Sequence, residues 1–201
     1  MSQLNIAIIL GSTRPGRNGE AVAKWVHGLA NKRTDARFEL VDLLDFDLPP
    51  LDEPGSPAQA KYTKGHTKKW SAKVAEFDAY VFVTPEYNHS TSGALKNAID
   101  FLNKEWTNKA AGFVGYGSVR GVRAVEHLRL IMAELQVATV RAQVGLSLFT
   151  DFRTPHVRTS RHAREGSEHP AGSGIAGAAL KPLRTEKIPD DHNVLLAEGI
   201  E

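Results

Sequence analysis

The sequence predicts an α/β domain built on a doubly wound, five-stranded parallel sheet, and three observations carry that prediction. Three short runs, LNIAIIL at 4–10, YVFVT at 80–84 and AAGFVGY at 110–116, are apolar without alternation, as strands covered on both faces are. Each run ends in a polar or glycine-bearing loop that leads into an amphipathic stretch of helical period, the strand–helix alternation of a wound sheet. With 201 residues, 41% of them hydrophobic and 24% charged, the chain has the size and composition of a single globular unit.

Composition also removes several function classes. The chain has no cysteine, which excludes disulfides, thiolate catalysis and iron–sulfur ligation. A formal charge of +2 gives no reason to invoke nucleic acid or a membrane as partner. The opening MSQLNIAIIL lacks a basic region and a long enough apolar run for a signal peptide, and no later stretch is long enough to span a bilayer. A cytoplasmic protein is expected. No metal site is expected either: His156, His162 and His169 follow no recognised ligand spacing.

The first strand, residues 4–10, breaks into GSTRPGRNG at 11–19, and helical periodicity resumes with Ala21, Val22, Trp25, Val26 and Leu29 to about Asn31. A glycine-containing turn between strand and helix offers backbone N–H groups and a positive helix end to a phosphate. The dinucleotide pattern G-x-G-x-x-G fails at Thr13. The triphosphate loop keeps the spacing from Gly11 to Gly16, but Arg17 and Asn18 replace its lysine and its magnesium-binding hydroxyl. What remains is a loop of hydroxyls, amide and guanidinium groups suited to a terminal monophosphate: Ser12, Thr13, Arg14, Arg17 and Asn18.

Residues 38–43 read as the second strand; Asp42 stands where a ribose-binding acid sits in a dinucleotide fold, but without the glycine fingerprint the structural reading is preferred. The following segment carries Pro49, Pro50, Pro54, Gly55 and Pro57, which argue against regular structure. A helix is expected over 63–77, with Trp70, Val74 and Phe77 inward. After the third strand, Pro85 ends the ladder and residues 86–92 form a polar loop. Gly93 opens a helix with Ala94, Leu95, Ala98, Ile99 and Leu102 on one face, capped by Ser92 or Ser90. The fourth strand ends in GYGSVRG at 115–121, whose glycines let backbone approach a flat ligand closely. A helix at 122–135 and a fifth strand at 137–148 complete the pattern. Ligands in such sheets lie at the carboxyl ends of the strands, where the loops after strands one, three and four meet. One loop suits a phosphate and two suit a planar ring.

Those loops, GSTRPGRNG, TPEYNHSTSGALKNAID and GYGSVRG followed by RAVEHLR, resemble the NADPH-dependent FMN reductase family over about residues 4–150. The middle motif is the most specific. The resemblance implies a flavodoxin-like fold with strand order 2-1-3-4-5, FMN as cofactor and NADPH or NADH as electron donor. It places the FMN phosphate at Ser12, Thr13, Arg14, Arg17 and Asn18. The ribityl chain and isoalloxazine would lie against Pro85, Glu86, Tyr87 and Asn88, with Gly117 and Ser118 bordering the ring's other side. Flavin N5 would carry the chemistry, passing two electrons to a small-molecule acceptor such as a quinone, azo dye, chromate or free flavin. It also implies a homodimer or homotetramer with the 93–102 helix near the interface. No catalytic acid or base is assigned; His89 reads as a solvated or capping residue, with a role in catalysis or acceptor binding as the alternative.

The resemblance stops near Arg153. Residues 1–152 read as the FMN-binding domain, whereas 153–201 have no Phe, Tyr or Trp and recurrent Gly and Pro. That composition predicts a poorly ordered tail without the family's last helix, either frameshifted or a lineage-specific extension. Two other function classes compete with the enzyme: a flavodoxin-type electron carrier, and a flavin-less remnant disabled by the altered tail. The small positive charge and the arginine-bearing phosphate loop favour the enzyme.

Overall fold

The computed structural model describes residues 3–152 and the backbone of Arg153 and of His156–Val157. Five parallel strands lie in the order β2-β1-β3-β4-β5, as expected. They are β1 (Leu4–Leu10), β2 (Ala36–Asp42), β3 (Ala79–Pro85), β4 (Ala110–Gly117) and β5 (Ala138–Ser147). The central strands β3 and β4 are buried at every position, which is why their sequences lack alternation. The outer strand β2 is only partly buried at most positions and β5 is exposed at several, and both read more polar.

Helices α2 (Gly65–Ala75), α3 (Gly93–Asp100) and α4 (Val122–Glu134) cover one face. Their Trp70, Val74, Leu95, Ile99, Val125, Leu128 and Met132 pack on Tyr80, Phe82 and Phe113 of the sheet. Helix α1 (Gly19–Ala30) covers the other, packing Val22, Ala23 and Trp25 on Ile6, Ile8, Val81, Val83 and Val114. Trp70 is core, as the helical stripe predicts; its indole N–H donates to Ala98 O at 2.8 Å.

Several details differ from the sequence reading. Strand β2 begins at Ala36 and ends at Asp42, because Asp42 turns its carboxylate onto the N–H of Leu44 and caps a 3-10 helix at Leu43–Phe46. The proline-rich stretch contains that helix and a second 3-10 turn at Pro57–Gln59, so it is not devoid of regular structure. Helix α2 starts only at Gly65, since Glu53 accepts hydrogen bonds from the backbone of Thr63 and Lys64 and holds them outside the helix. Between β4 and β5 the register jumps from Ala111↔Thr139 to Phe113↔Gln143, and Arg129 of α4 donates to Val140 O and Arg141 O there. A short antiparallel pair joins Phe152–Arg153 to His156–Val157. The expectations of a poorly ordered tail at 153–201 and a missing last helix otherwise lie outside the described residues.

Candidate functional site

The three loops predicted to converge do so at the carboxyl edge of β1, β3 and β4, and they are fastened to one another. The loop after β1 starts at Gly11, whose N–H donates to Val83 O of β3 at 2.9 Å. A Cβ at Gly11 would stand 2.8 Å from Leu95 Cδ2 and 3.0 Å from Val83 O, so only glycine lets this turn lie against β3 and α3. Ser92 locks the same point: its hydroxyl donates to Gly11 O and accepts from Leu95 N at 3.1 Å, making it the N-cap of α3. Ser12 then reaches the second loop, its hydroxyl 3.2 Å from the Tyr87 hydroxyl.

Of the residues expected at a phosphate, Thr13 is half-buried and Arg14 and Asn18 are exposed at the start of α1, where Asn18 makes no side-chain capping bond. The Arg14 guanidinium lies 6.0 Å from the Tyr87 ring centre. Arg17 differs from them. Its guanidinium is largely buried, donates to Ser12 O at 2.5 Å and pairs with Asp42. It binds the loop to the end of β2, and Asp42 has the structural role its sequence context suggested.

The second loop is a two-residue turn. Tyr87 N donates to Ser90 O at 2.9 Å and Ser90 N to Tyr87 O at 3.1 Å, with Asn88 at φ 47° and His89 at φ 74° between them. Positive φ at both central positions is the primed hairpin geometry; Asn tolerates it, and His pays on the order of 1 kcal/mol. Side chains from α4 hold the turn. Arg123 donates from Nε to Glu86 Oε1 at 2.5 Å and from its backbone N–H to Oε2 at 3.2 Å, while its Nη1 reaches His89 Nδ1 at 3.2 Å. A guanidinium has only donors, so His89 accepts there. One helical turn on, His127 Nδ1 lies 3.0 Å from Ser90 Oγ. The Glu86 carboxylate is thus almost wholly buried at the N-terminus of α4, with Arg123 and the helix end opposing its charge.

The third loop meets the second at Gly117, where a Cβ would come within 3.1 Å of Glu86 Cβ, and Glu86 N donates to Tyr116 O at 2.9 Å. Ser118 is exposed beside it. Hydroxyl, amide and guanidinium groups lie in the residues that lead into α1, and Gly117 lets the third loop pack directly against Glu86 of the second. This donor set fits a phosphorylated planar cofactor.

Arg123, His127 and Tyr116 were missed from sequence. The first two are spaced i, i+4 at the start of α4 directly after the glycine loop, a pattern that places both on one side of the helix, here the side facing the second loop. Tyr116 reads only as the end of a strand, yet its hydroxyl is buried between Ser12 and Gly19.

The profile of the NADPH-dependent FMN reductase family matches residues 4–151. The chain is 40% identical over 156 residues to the NAD(P)H-dependent FMN reductase ntnL of Nectria sp, covering 73% of this chain and 77% of that one. It is 32% identical over 140 residues to an FMN-dependent NADPH-azoreductase of Staphylococcus haemolyticus, covering 69% and 74%. Among solved structures, the flavoenzyme NAD(P)H:(acceptor) oxidoreductase FerB from Paracoccus denitrificans superposes with a TM-score of 0.63 at 19% identity, covering 90% of this chain and 95% of that one.

Proposed function

Because the chain belongs to the NADPH-dependent FMN reductase family, we propose that the three fastened loops hold FMN, with its phosphate at the start of α1. The protein is an enzyme, an NAD(P)H-dependent, FMN-containing oxidoreductase. Bound FMN supplies the redox chemistry, accepting a hydride equivalent from NAD(P)H and releasing two electrons to an acceptor.

In this reading Ser12, Thr13, Arg14 and Asn18 donate to the phosphate together with the first N–H groups of α1. Arg17 contributes its charge from below while bracing the loop against Asp42. Pro85, Glu86, Tyr87 and Asn88 form one wall for the ribityl chain and ring, chiefly through backbone. Gly117 and Ser118 form the opposite wall. Arg123 keeps the Glu86 carboxylate turned into α4, so that wall presents backbone rather than a negative charge to the flavin. The interlock of Ser12 with Tyr87 and of Glu86 with Gly117 and Tyr116 is the observation that carries this reading.

The acceptor is a small oxidant of the quinone, azo, chromate or flavin class, and the enzyme works in the cytoplasm. Among the described residues no helix is long and apolar enough to cross a membrane. It assembles as a homodimer, or a tetramer of such pairs, through α3 and α4. Two adjoining clefts of about 470 Å³ each lie between these helices and share Lys96, Leu130 and Ile131. Leu130 is 69% exposed there, and the rim carries both signs of charge in Lys96, Asp100 and Glu134. An apolar centre with a mixed rim is self-complementary across a two-fold axis. Leu130→Glu is expected to shift the sedimentation coefficient toward that of the monomer.

The test of function is anaerobic. Purified protein is loaded with FMN, its visible flavin absorbance recorded, and NADPH added with and without a quinone. Bleaching by NADPH and recovery on adding quinone are expected. Bound flavin that NADPH leaves oxidised would indicate an electron carrier instead, and no flavin binding would refute the cofactor assignment.

A further inference from the structure

Tyr116 ends β4 paired with Pro85 of β3, and its ring points to the α1 side of the sheet with Val114, Leu146 and Phe152. The residue is 4% exposed. Its hydroxyl lies beneath the first residue of α1, 2.5 Å from where a Gly19 Cβ would be. Burial pushes the phenol well above its ordinary pKa, the nearby Tyr87 adds to the rise, and Arg17, Ser12 and Gly19 hold it back. It is therefore a neutral hydroxyl, available to donate. Ser12 and Gly19 are close enough to influence it, yet neither makes a well-formed hydrogen bond, and the oxygen has no partner among the described residues.

A buried hydroxyl without a partner is costly, and such groups in native proteins call for an explanation. Among the described residues two other buried side-chain atoms share this condition, Trp25 Nε1 and Thr67 Oγ1, but they sit in helices rather than under a converging loop. At Tyr116 a second observation coincides. The twelve-residue α1 begins directly above it, and Asn18 supplies no side-chain cap for the first-turn N–H groups. An anion at that helix end would satisfy the open N–H groups and give the phenol a charged acceptor at once.

We propose that Tyr116 is a binding residue of the phosphate site, donating its buried hydroxyl to the cofactor's phosphate from beneath the loop. The proposal rests on the FMN reading above. It assigns the site a floor contributed by β4 in addition to the rim contributed by residues 11–18. It also accounts for Gly19: any side chain there would displace the hydroxyl from the position in which it serves.

Tyr116→Phe tests this with two flavins, FMN and riboflavin, which differ by the phosphate alone. Affinity is read by flavin fluorescence on adding apoprotein. Loss of a hydrogen bond to a charged group should raise the FMN dissociation constant about tenfold or more and leave that of riboflavin unchanged. The melting temperature of the apoprotein should hold or rise, because the substitution removes an unpaired buried hydroxyl. The thermal stabilisation given by inorganic phosphate should shrink relative to wild type. Equal FMN affinity in the two proteins overturns the proposal while leaving the FMN reading intact. So does a variant whose apoprotein melts lower and loses both flavins alike, since that identifies a structural role. Wild-type protein that binds no FMN refutes the cofactor assignment itself.

Discussion

Removing the Arg123 side chain should destabilise the apoprotein, and neutralising Glu86 should then restore part of the loss. Breaking a fully buried ion pair costs roughly 3–5 kcal/mol, because the remaining charge stays desolvated; an exposed pair is worth about 0–1 kcal/mol. The pair here is lopsided: the Glu86 side chain is 4% exposed and that of Arg123 is 37%. Arg123→Ala leaves the buried member behind, still accepting the backbone N–H of residue 123 at the end of α4. A cost of about 2–3 kcal/mol follows, nearer the buried limit but eased by that remaining donor. For a domain of this size the fall in melting temperature is roughly 5–10 °C, read by circular dichroism on apoprotein. Glu86→Gln in the Arg123→Ala background replaces the stranded carboxylate with a neutral amide and should recover several degrees. A single variant within about 2 °C of wild type, or a double variant less stable than Arg123→Ala, would refute the reasoning.

Gly11→Ala places a methyl 3.0 Å from the immobile Val83 O and 2.8 Å from Leu95 Cδ2, and should cost about 1–3 kcal/mol and weaken FMN binding in a fluorescence titration. Ser92→Ala removes the cap on Leu95 N and the donor to Gly11 O together, so denaturant unfolding should show a loss of about 2–3 kcal/mol, above the usual ~1 for a cap alone. Glu53 titrates unusually: burial raises its pKa, but backbone bonds from Lys64 and Thr63 outweigh this and lower it from 4.5 to about 2. A depressed carboxylate contributes stability that is full above its unfolded value and lost as pH falls through the folded one. Wild type should thus lose stability between about pH 4.5 and 2 faster than Glu53→Gln, and parallel curves in acid melts would contradict it.

The central strands were legible because burial on both faces leaves a sequence no reason to alternate. β2 was misplaced by two residues because it is an edge strand; Arg37 and Glu39 break its apolar run, and its end is set by the Asp42 cap rather than by hydropathy. The loops were legible through glycine spacing and the run of hydroxyls. What the sequence could not convey was which groups are already engaged. Arg17 and Arg14 look alike in GSTRPGRNG, yet one is tied to a carboxylate 25 residues away and the other faces outward. Glu86 reads as an open acid in a polar loop, but its partner lies 37 residues on. The solvated or capping role expected for His89 is refined rather than replaced: it is exposed and accepts from Arg123.

The turn at 87–90 also bears on how fast the site can fill. Two backbone bonds, the Thr84–Thr91 hydroxyl pair at 2.7 Å and the side chains of Arg123 and His127 fix its shape using the protein's own groups. The entropy of ordering that wall is spent once, when the chain folds, and not again at each encounter. If FMN binds there as proposed, it meets a formed surface, and its capture is then expected to be set by diffusion and orientation rather than by waiting for a loop to close. Differences between flavin analogues should accordingly appear in residence time, with association rates nearly alike.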